Sequence, residues 1–364
     1  MLPPTSTSRL PAHVALLMLA VIAFTSFYPF TDWSYSGRPL LEFLFYPLPY
    51  YFRLFDNVVN YLIYIPYGFA LALMPRSRWL GCLWAIVAAG ATSFSVEFVQ
   101  QFLPTRVASN LDIAYNVAGA ATGAMLAISP FTVWAWRHIR YWRAEWFAAG
   151  SPADYAVVLI VLWFVTQLNP SVPIFGVVVR PIGLPQPFIS PLDDPMLFLF
   201  LLEAVGAMLN LIAFLLFATC FLRHRRYTAR AVAGLILLAL LLKLLAAGAL
   251  LKPFAFFEWF DQNVMTGLSA GFLLVWGITR FGRKVQTVCA LLALIASQSV
   301  AAIWPLRADS QDMLGLFRWG YGHLENMGAL VEFLSHLWPW IAGVCLIASL
   351  IHEWRRRGGA SKTK

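Results

Sequence analysis

Charge is what this sequence has least of. Of 364 residues only 12% are Asp, Glu, Lys or Arg, while 60% are hydrophobic. An ordinary soluble domain carries about 25% charged and roughly 45–50% apolar residues. The deficit excludes a soluble enzyme, and the apolar excess excludes a disordered chain, which needs low hydrophobicity and high charge. Cysteine is scarce too. Cys82, Cys220, Cys289 and Cys345 fall one per hydrophobic segment, none at metal-ligand spacing. They form no disulfide framework and read as small buried hydrophobes. Gly-rich phosphate loops, zinc signatures and Ser/His/Asp or Cys/His constellations are missing from the sequence. Aromatics, in contrast, reach 16%, with 15 Trp and 13 Tyr, the two residues that settle at headgroup depth. The fold class this implies is all-α, as a polytopic integral membrane protein.

A membrane-spanning helix needs about 20 mostly apolar residues. Ten stretches qualify: 11–29, 54–74, 79–103, 109–130, 153–169, 195–221, 228–251, 263–280, 284–304 and 324–351. The run from Val14 to Phe27 follows one basic residue, Arg9, and lacks an Ala-x-Ala site, so it reads as an uncleaved first helix. With the N-terminus placed in the cytoplasm, the inside connectors hold eighteen Lys and Arg residues and the outside connectors seven. Only Lys243 falls inside a helix. The net charge of +9 is therefore a topology signal, not a nucleic-acid-binding face. The expectation is about ten transmembrane helices with both termini cytoplasmic, in a multi-pass protein of the cell (inner) membrane.

Two connectors differ from the rest. Residues 131–150 interleave Trp134, Trp136, Trp142 and Trp146 with Arg137, Arg140 and Arg143. That mixture predicts an amphipathic helix lying on the inner leaflet, and it separates two halves. The outer loop 170–194 holds Pro170, Pro173, Pro181, Pro185, Pro187 and Pro191. Proline resists helix, so this loop is expected to pack over the outer surface. The predicted organisation is a four-helix domain over 11–130, the linker helix over 131–150, a second four-helix half over 151–281 and a C-terminal helix pair over 282–352.

Polar residues inside spans are costly and mark function by default. They concentrate in the first half. Asp56, Asn57 and Asn60 open the second span, Glu97, Gln100 and Gln101 end the third, and Asp112 and Asn116 open the fourth. Asp56 with Asn60, and Asp112 with Asn116, are four apart, while Glu97 and Gln100 are three apart, so each pair shares a helix face. At about 1.5 Å per residue the three pairs lie within two turns of the outer surface, where Arg106, in the turn from Leu103, caps the layer. Three ionised carboxylates in low dielectric repel, so a proton or a cation is expected among them. Gly119 and Gly123 form a small-residue face on the fourth span that lets backbones approach.

The pattern Ser93-x-x-x-Glu97-x-x-Gln100, then Pro104-x-Arg106, then Asp112-x-x-x-Asn116-x-x-Gly119-x-x-x-Gly123 resembles the signature of the VanZ-like membrane proteins. Upstream, Asp56-x-x-x-Asn60 and Pro66-x-Gly68 fit that family's second helix. The namesake of the family is associated with resistance to the lipoglycopeptide teicoplanin, so the resemblance implies a cell-envelope role and possible glycopeptide resistance without a settled reaction. It makes Asp56, Asn60, Glu97, Gln100, Arg106, Asp112 and Asn116 the candidate ligand-binding residues.

The second half echoes the first. Asn210 sits in the sixth span as Asn60 sits in the second, and Gly267-x-x-x-Gly271 resembles Gly119-x-x-x-Gly123. A degenerate parallel repeat is expected, with Lys243 near the place of Glu97. Glu203 and Lys243 lie at equal depth on adjacent helices and are expected to pair. Glu325, Glu332 and His336 share a face of the last span. The remaining histidines are scattered.

Three functions follow. The first is an envelope protein that binds or handles an amphiphile or lipid-linked ligand through the outer acidic cluster and Arg106. The second is a membrane enzyme with Glu97 or Asp112 as general base on a lipid-linked substrate. The third is a transporter of two parallel halves. The expected partners are membrane lipids or a lipid-linked envelope ligand, not nucleic acid. No cofactor is expected, a divalent cation at the acidic cluster being the one the pattern leaves open.

Overall fold

Inside a bilayer every backbone N–H and C=O must be satisfied within the protein, which leaves helices or closed barrels. The computed structural model takes the helical route. It describes residues 10–35, 37, 39–48, 52–75, 77–104, 106–169, 174–175, 190–257, 259–304, 316–318 and 323–360. The α-helices are α1 (Leu10–Phe27), α2 (Leu54–Ala72), α3 (Arg78–Gln100), α4 (Asn110–Ile128), α5 (Pro130–Trp146), α6 (Ser151–Thr166), α7 (Pro195–Cys220), α8 (Thr228–Leu250), α9 (Gln262–Ile278), α10 (Arg283–Ile303) and α11 (His323–Ala360). Among the described residues there is no β-strand, only two isolated bridges.

Six helical stretches are long and apolar enough to cross a membrane: Arg78–Gln100, Asn110–Ile128, Pro195–Cys220, Arg225–Leu250, Arg283–Ile303 and Gly328–Ile351. Pro11–Phe27 and Pro152–Thr166 are apolar but shorter. Two further predicted spans are helices α2 and α9, which begin with polar turns, Asp56-Asn57 in one and Gln262-Asn263 in the other.

The chain divides into two units, 1–140 with 321–330 and 141–320 with 331–364. In the first, α2 packs against α1, α3 and α4, and most closely against α4. Glycine makes that approach possible. A Cβ at Gly119 would lie 2.1 Å from the Tyr61 carbonyl oxygen, one at Gly123 2.0 Å from that of Ile65, and one at Gly68 2.2 Å from that of Ala120. Hydroxyl pairs reinforce the helices: Tyr61 with Thr122 at 2.8 Å, and Tyr67 with Thr92 at 3.0 Å. The connector from α1 to α2 makes a 3-10 turn over Glu42–Phe45, buries Phe43, and is tied down by Asn110, whose Nδ2 donates to the Tyr46 carbonyl at 2.8 Å.

In the second unit α7 is central, flanked by α6, α8, α9 and α10. A Cβ at Gly267 would lie 1.9 Å from the Ala204 carbonyl oxygen, whereas one at Gly271 would meet a Leu211 methyl at 3.1 Å. The core here is aromatic. Trp163 stacks on Phe214 with ring centres 3.7 Å apart, and Phe164, Phe175 and Trp338 surround the pair. The Trp338 indole N–H donates to the Leu159 carbonyl at 2.7 Å. Asp194 and Asp261 cap α7 and α9 by accepting backbone N–H groups of their first turns.

The expected interfacial segment is α5, which has no buried residue and exposes Trp134, Trp136, Tyr141 and Trp142. Arg140 lies 6.0 Å from the centre of the Trp136 ring. Of the Pro-rich loop, residues 170–173 and 176–189 lie outside the described residues. Ile174 and Phe175 are described and buried, Phe175 against Trp163.

Candidate functional site

Four helix termini build the site. The end of α1, the start of α2, the end of α3 and the start of α4 meet in the first unit, so each polar pair read from the sequence is delivered by a terminal turn. Helix α4 starts where it does because Ser109 caps it, accepting the Leu111 N–H at 3.1 Å. That cap is held from α3. Glu97 Oε2 accepts the Ser109 backbone N–H at 2.8 Å. In a capping box a Glu of the same helix does this; here it comes from the neighbouring helix.

Gln100 and Arg106 bind the end of α1. Gln100 Nε2 donates to the Ser26 carbonyl at 3.2 Å and Arg106 Nη2 to the Thr25 carbonyl at 3.4 Å. Both acceptors belong to the last turn, whose carbonyls have no partner within the helix and attract positive charge. Asn116 Nδ2 donates to Ser93 Oγ at 2.9 Å, joining α4 to α3. Asn60 hydrogen-bonds Asp112, joining α2 to α4, and Asp112 lies within electrostatic reach of Asp56 and Arg106. Glu97 in turn lies within reach of Asp112 and Arg106.

All seven predicted residues therefore belong to one constellation, arranged in two tiers. Asn60, Glu97, Gln100 and Asn116 form a buried floor, with Glu97 2% exposed and Asn116 3% exposed. Asp56, Arg106 and Asp112 form a half-buried rim. The floor surrounds a cavity of about 10 Å³, the space one water needs. It is lined by Thr25 and Ser26 of α1, Asn60 and Tyr64 of α2, Glu97 and Gln100 of α3, and Asn116 of α4. Two of the lining side chains are incompletely satisfied. Asn116 Oδ1 has no hydrogen-bond partner, and the Tyr64 hydroxyl stands beside Ser93 without a bond of normal geometry. Nearby in α2, buried Asn57 Nδ2 also lacks one. Buried polar groups are nearly always paired, so this concentration is the site's main anomaly.

Tyr64 and the end of α1 were not among the residues picked out by spacing. Tyr64 stands four residues after Asn60 and Ser93 four before Glu97, so extending each polar face by one turn finds both. Thr25 and Ser26 give no such signal, because they take part through main-chain carbonyls. Among the described residues no group of three or more His, Cys, Asp or Glu side chains is placed to hold a metal ion.

The other candidates are simpler. Glu203 accepts from Asn263 Nδ2 at 2.6 Å, and Lys243, 1% exposed, donates to the Asn169 carbonyl at 2.5 Å. Asn210 accepts from Ser297 Oγ at 2.6 Å and donates to the Phe175 carbonyl at 3.1 Å. His336 and Glu332 lie 3.9 Å apart on an exposed face, and the Glu325 side chain lies outside the described residues.

With this geometry in hand, comparison with known families is decisive for one stretch. Residues 12–134 match the family model VanZ/LLP1. The matched span covers α1 to α4 and the start of α5, and so contains every floor and rim residue of the site. No curated protein and no solved structure matches the chain.

Proposed function

We propose that the VanZ-like domain is a receptor site for the polar head of an amphiphile in the outer leaflet, within a multi-pass protein of the inner membrane. The observation that carries this reading is the floor cavity: buried Glu97, Tyr64 and Asn116 surround a polar space with hydrogen-bonding capacity left over. A purely structural cluster would spend that capacity internally. Glycopeptide resistance, the phenotype associated with the family's namesake, is a consequence this site would have if its amphiphile belongs to envelope assembly.

The topology we infer has ten spans, α1–α4 and α6–α11, with α5 on the inner surface and both termini cytoplasmic. The surplus of Lys and Arg in the inside connectors supports it. We also infer that α6–α9 repeat α1–α4 helix for helix. The glycine contacts support this, since Gly119 and Gly123 meet Tyr61 and Ile65, while Gly267 and Gly271 meet Ala204 and Met208 at the same spacing. That register matches Asn60 with Glu203 rather than with Asn210.

The test is a thermal-unfolding series on the full chain in nanodiscs, with envelope lipid extract or teicoplanin added. Added amphiphile should raise the midpoint of the parent protein and leave Glu97→Gln and Arg106→Gln unmoved. Equal shifts in all three proteins would refute the site. A second reading rests on the same cavity: a water held there by Glu97 is the arrangement a general base needs. Turnover of a labelled lipid-phosphate that is lost in Glu97→Gln would favour that enzyme.

A further inference from the structure

The cavity floor has a definite hydrogen-bond polarity. Its amide donors are already committed. Asn116 Nδ2 is spent on Ser93, Gln100 Nε2 on the Ser26 carbonyl, and the Asn60 amide on Asp112. The Thr25 hydroxyl donates back into its own helix, at 2.9 Å from the Val21 carbonyl. What faces the cavity uncommitted is chiefly acceptor capacity, Asn116 Oδ1 and a Glu97 carboxyl that receives one bond from Ser109, beside the Tyr64 hydroxyl, which can accept or donate. The space is that of a single water.

An acceptor-rich socket of that size selects its guest. A phosphate or carboxylate is too large for a one-water space and would set its oxygens against those of Glu97 and Asn116. A quaternary ammonium has no N–H to offer and is too wide. A hard divalent cation needs six or more oxygen ligands, more than this floor provides. A primary ammonium fits on every count: it carries three donors, no acceptor, and a positive charge to meet the carboxylate.

Resting on the receptor reading above, we propose that the VanZ-like site recognises amphiphiles by a primary ammonium group inserted between α1, α2, α3 and α4. An aminophospholipid of the phosphatidylethanolamine type carries that group. Its phosphate lies a few bonds away, on the side where the rim places Arg106. The socket is specific because each N-methyl group added to the amine removes a donor and adds bulk, so affinity falls stepwise with methylation.

The experiment measures binding to the full-length protein by native mass spectrometry, in detergent, with thermal unfolding in parallel. The probes are phosphatidylethanolamine, its mono- and dimethylated forms, phosphatidylcholine, phosphatidylglycerol and free ethanolamine. The expected result is binding of phosphatidylethanolamine at least tenfold tighter than phosphatidylcholine, with the methylated forms between and free ethanolamine far weaker. Glu97→Gln should reduce the preference to threefold or less. Tyr64→Phe, which keeps the packing, should lower it several-fold and guards against a folding defect in the first variant. Equal binding of the ethanolamine and choline lipids, the outcome if the cavity holds only a water, overturns the ammonium proposal and leaves the receptor reading standing. A preference untouched by both variants also overturns it, because the amine is then read elsewhere. Free ethanolamine binding as tightly as the lipid overturns the lipid source. Binding of none of these lipids, with teicoplanin or lipid extract also inert, brings down the receptor reading itself.

Discussion

Helices α1–α4 and α6–α9 share a plan and use their polar groups differently. In both units a central helix receives a glycine pair from the helix two places on, and in both that partner begins with a side-chain cap, Ser109 for α4 and Asp261 for α9. The interior is where they part. The second unit fills its centre with Trp163, Phe214, Phe217 and Trp338, and gives the half-buried Asn210 and the buried Lys243 partners within the chain. Trp259 Nε1 is the exception. The first unit leaves its centre polar and underused, with Tyr64 and Asn116 incompletely bonded around the Glu97 cavity and Asn57 incompletely bonded elsewhere in α2. Similar helix packing thus accompanies an aromatic, closed centre in one unit and a polar centre with a cavity in the other, the feature on which the proposed receptor rests.

The largest expected effect tests the shared part of the plan. A Cβ at Gly123 would lie 2.0 Å from a backbone carbonyl oxygen, while one at Gly271 would lie 3.1 Å from a leucine methyl and 3.2 Å from the Met208 carbonyl oxygen, contacts that a shift of a few tenths of an ångström relieves. Gly123→Ala should therefore cost about 4 kcal/mol or more and leave little folded protein, while Gly271→Ala should cost roughly 1 kcal/mol. Chemical unfolding of the two purified variants checks this. Similar midpoints would show that the two glycines are equivalent locks and would refute the contrast.

Next in size is the core of the second unit. Trp163→Ala removes the ring stacked on Phe214 and should cost about 3 kcal/mol or more. Amphiphile binding by the first unit should persist wherever the variant remains folded. Loss of binding at a temperature where its helical signal is intact would mean that the division of labour between the units is wrong.

These contrasts were unevenly legible in the sequence. The helices were open to reading because a 20-residue apolar run has little else it can be: the run 195–221 is α7, Pro195–Cys220, and 54–74 is α2, Leu54–Ala72. Their limits follow from caps and prolines that are visible as residues, such as Asp194-Pro195. The polar face pairs of α2, α3 and α4 were legible from spacings of three and four. The end of α1 was not, because it enters the site through the carbonyls of Thr25 and Ser26, and a carbonyl has no residue-type signature. The same reason hides the partner of Lys243, which is the main-chain oxygen of Asn169. Matching Asn210 to Asn60 rests on letter identity between halves, whereas the glycine contacts supply the register used in the proposed repeat.

The smallest effects are the most discriminating, because here the two units should respond with opposite sign. Asn210 has both ends of its amide engaged, by Ser297 and by the Phe175 carbonyl. Asn210→Leu strands both partners and should destabilise by about 1–2 kcal/mol, at the upper end for hydrogen bonds within membranes. Tyr64 is more deeply buried, 3% exposed, and its hydroxyl makes no hydrogen bond of normal geometry. Tyr64→Phe removes an unsatisfied polar atom, so without ligand it should be neutral or raise stability, by up to about 1 kcal/mol. Unfolding midpoints of both variants, taken in lipid-free detergent, decide the matter. A clear loss for Tyr64→Phe under those conditions would mean that the hydroxyl is paired in the resting protein, and the capacity assigned to the receptor would already be in structural use.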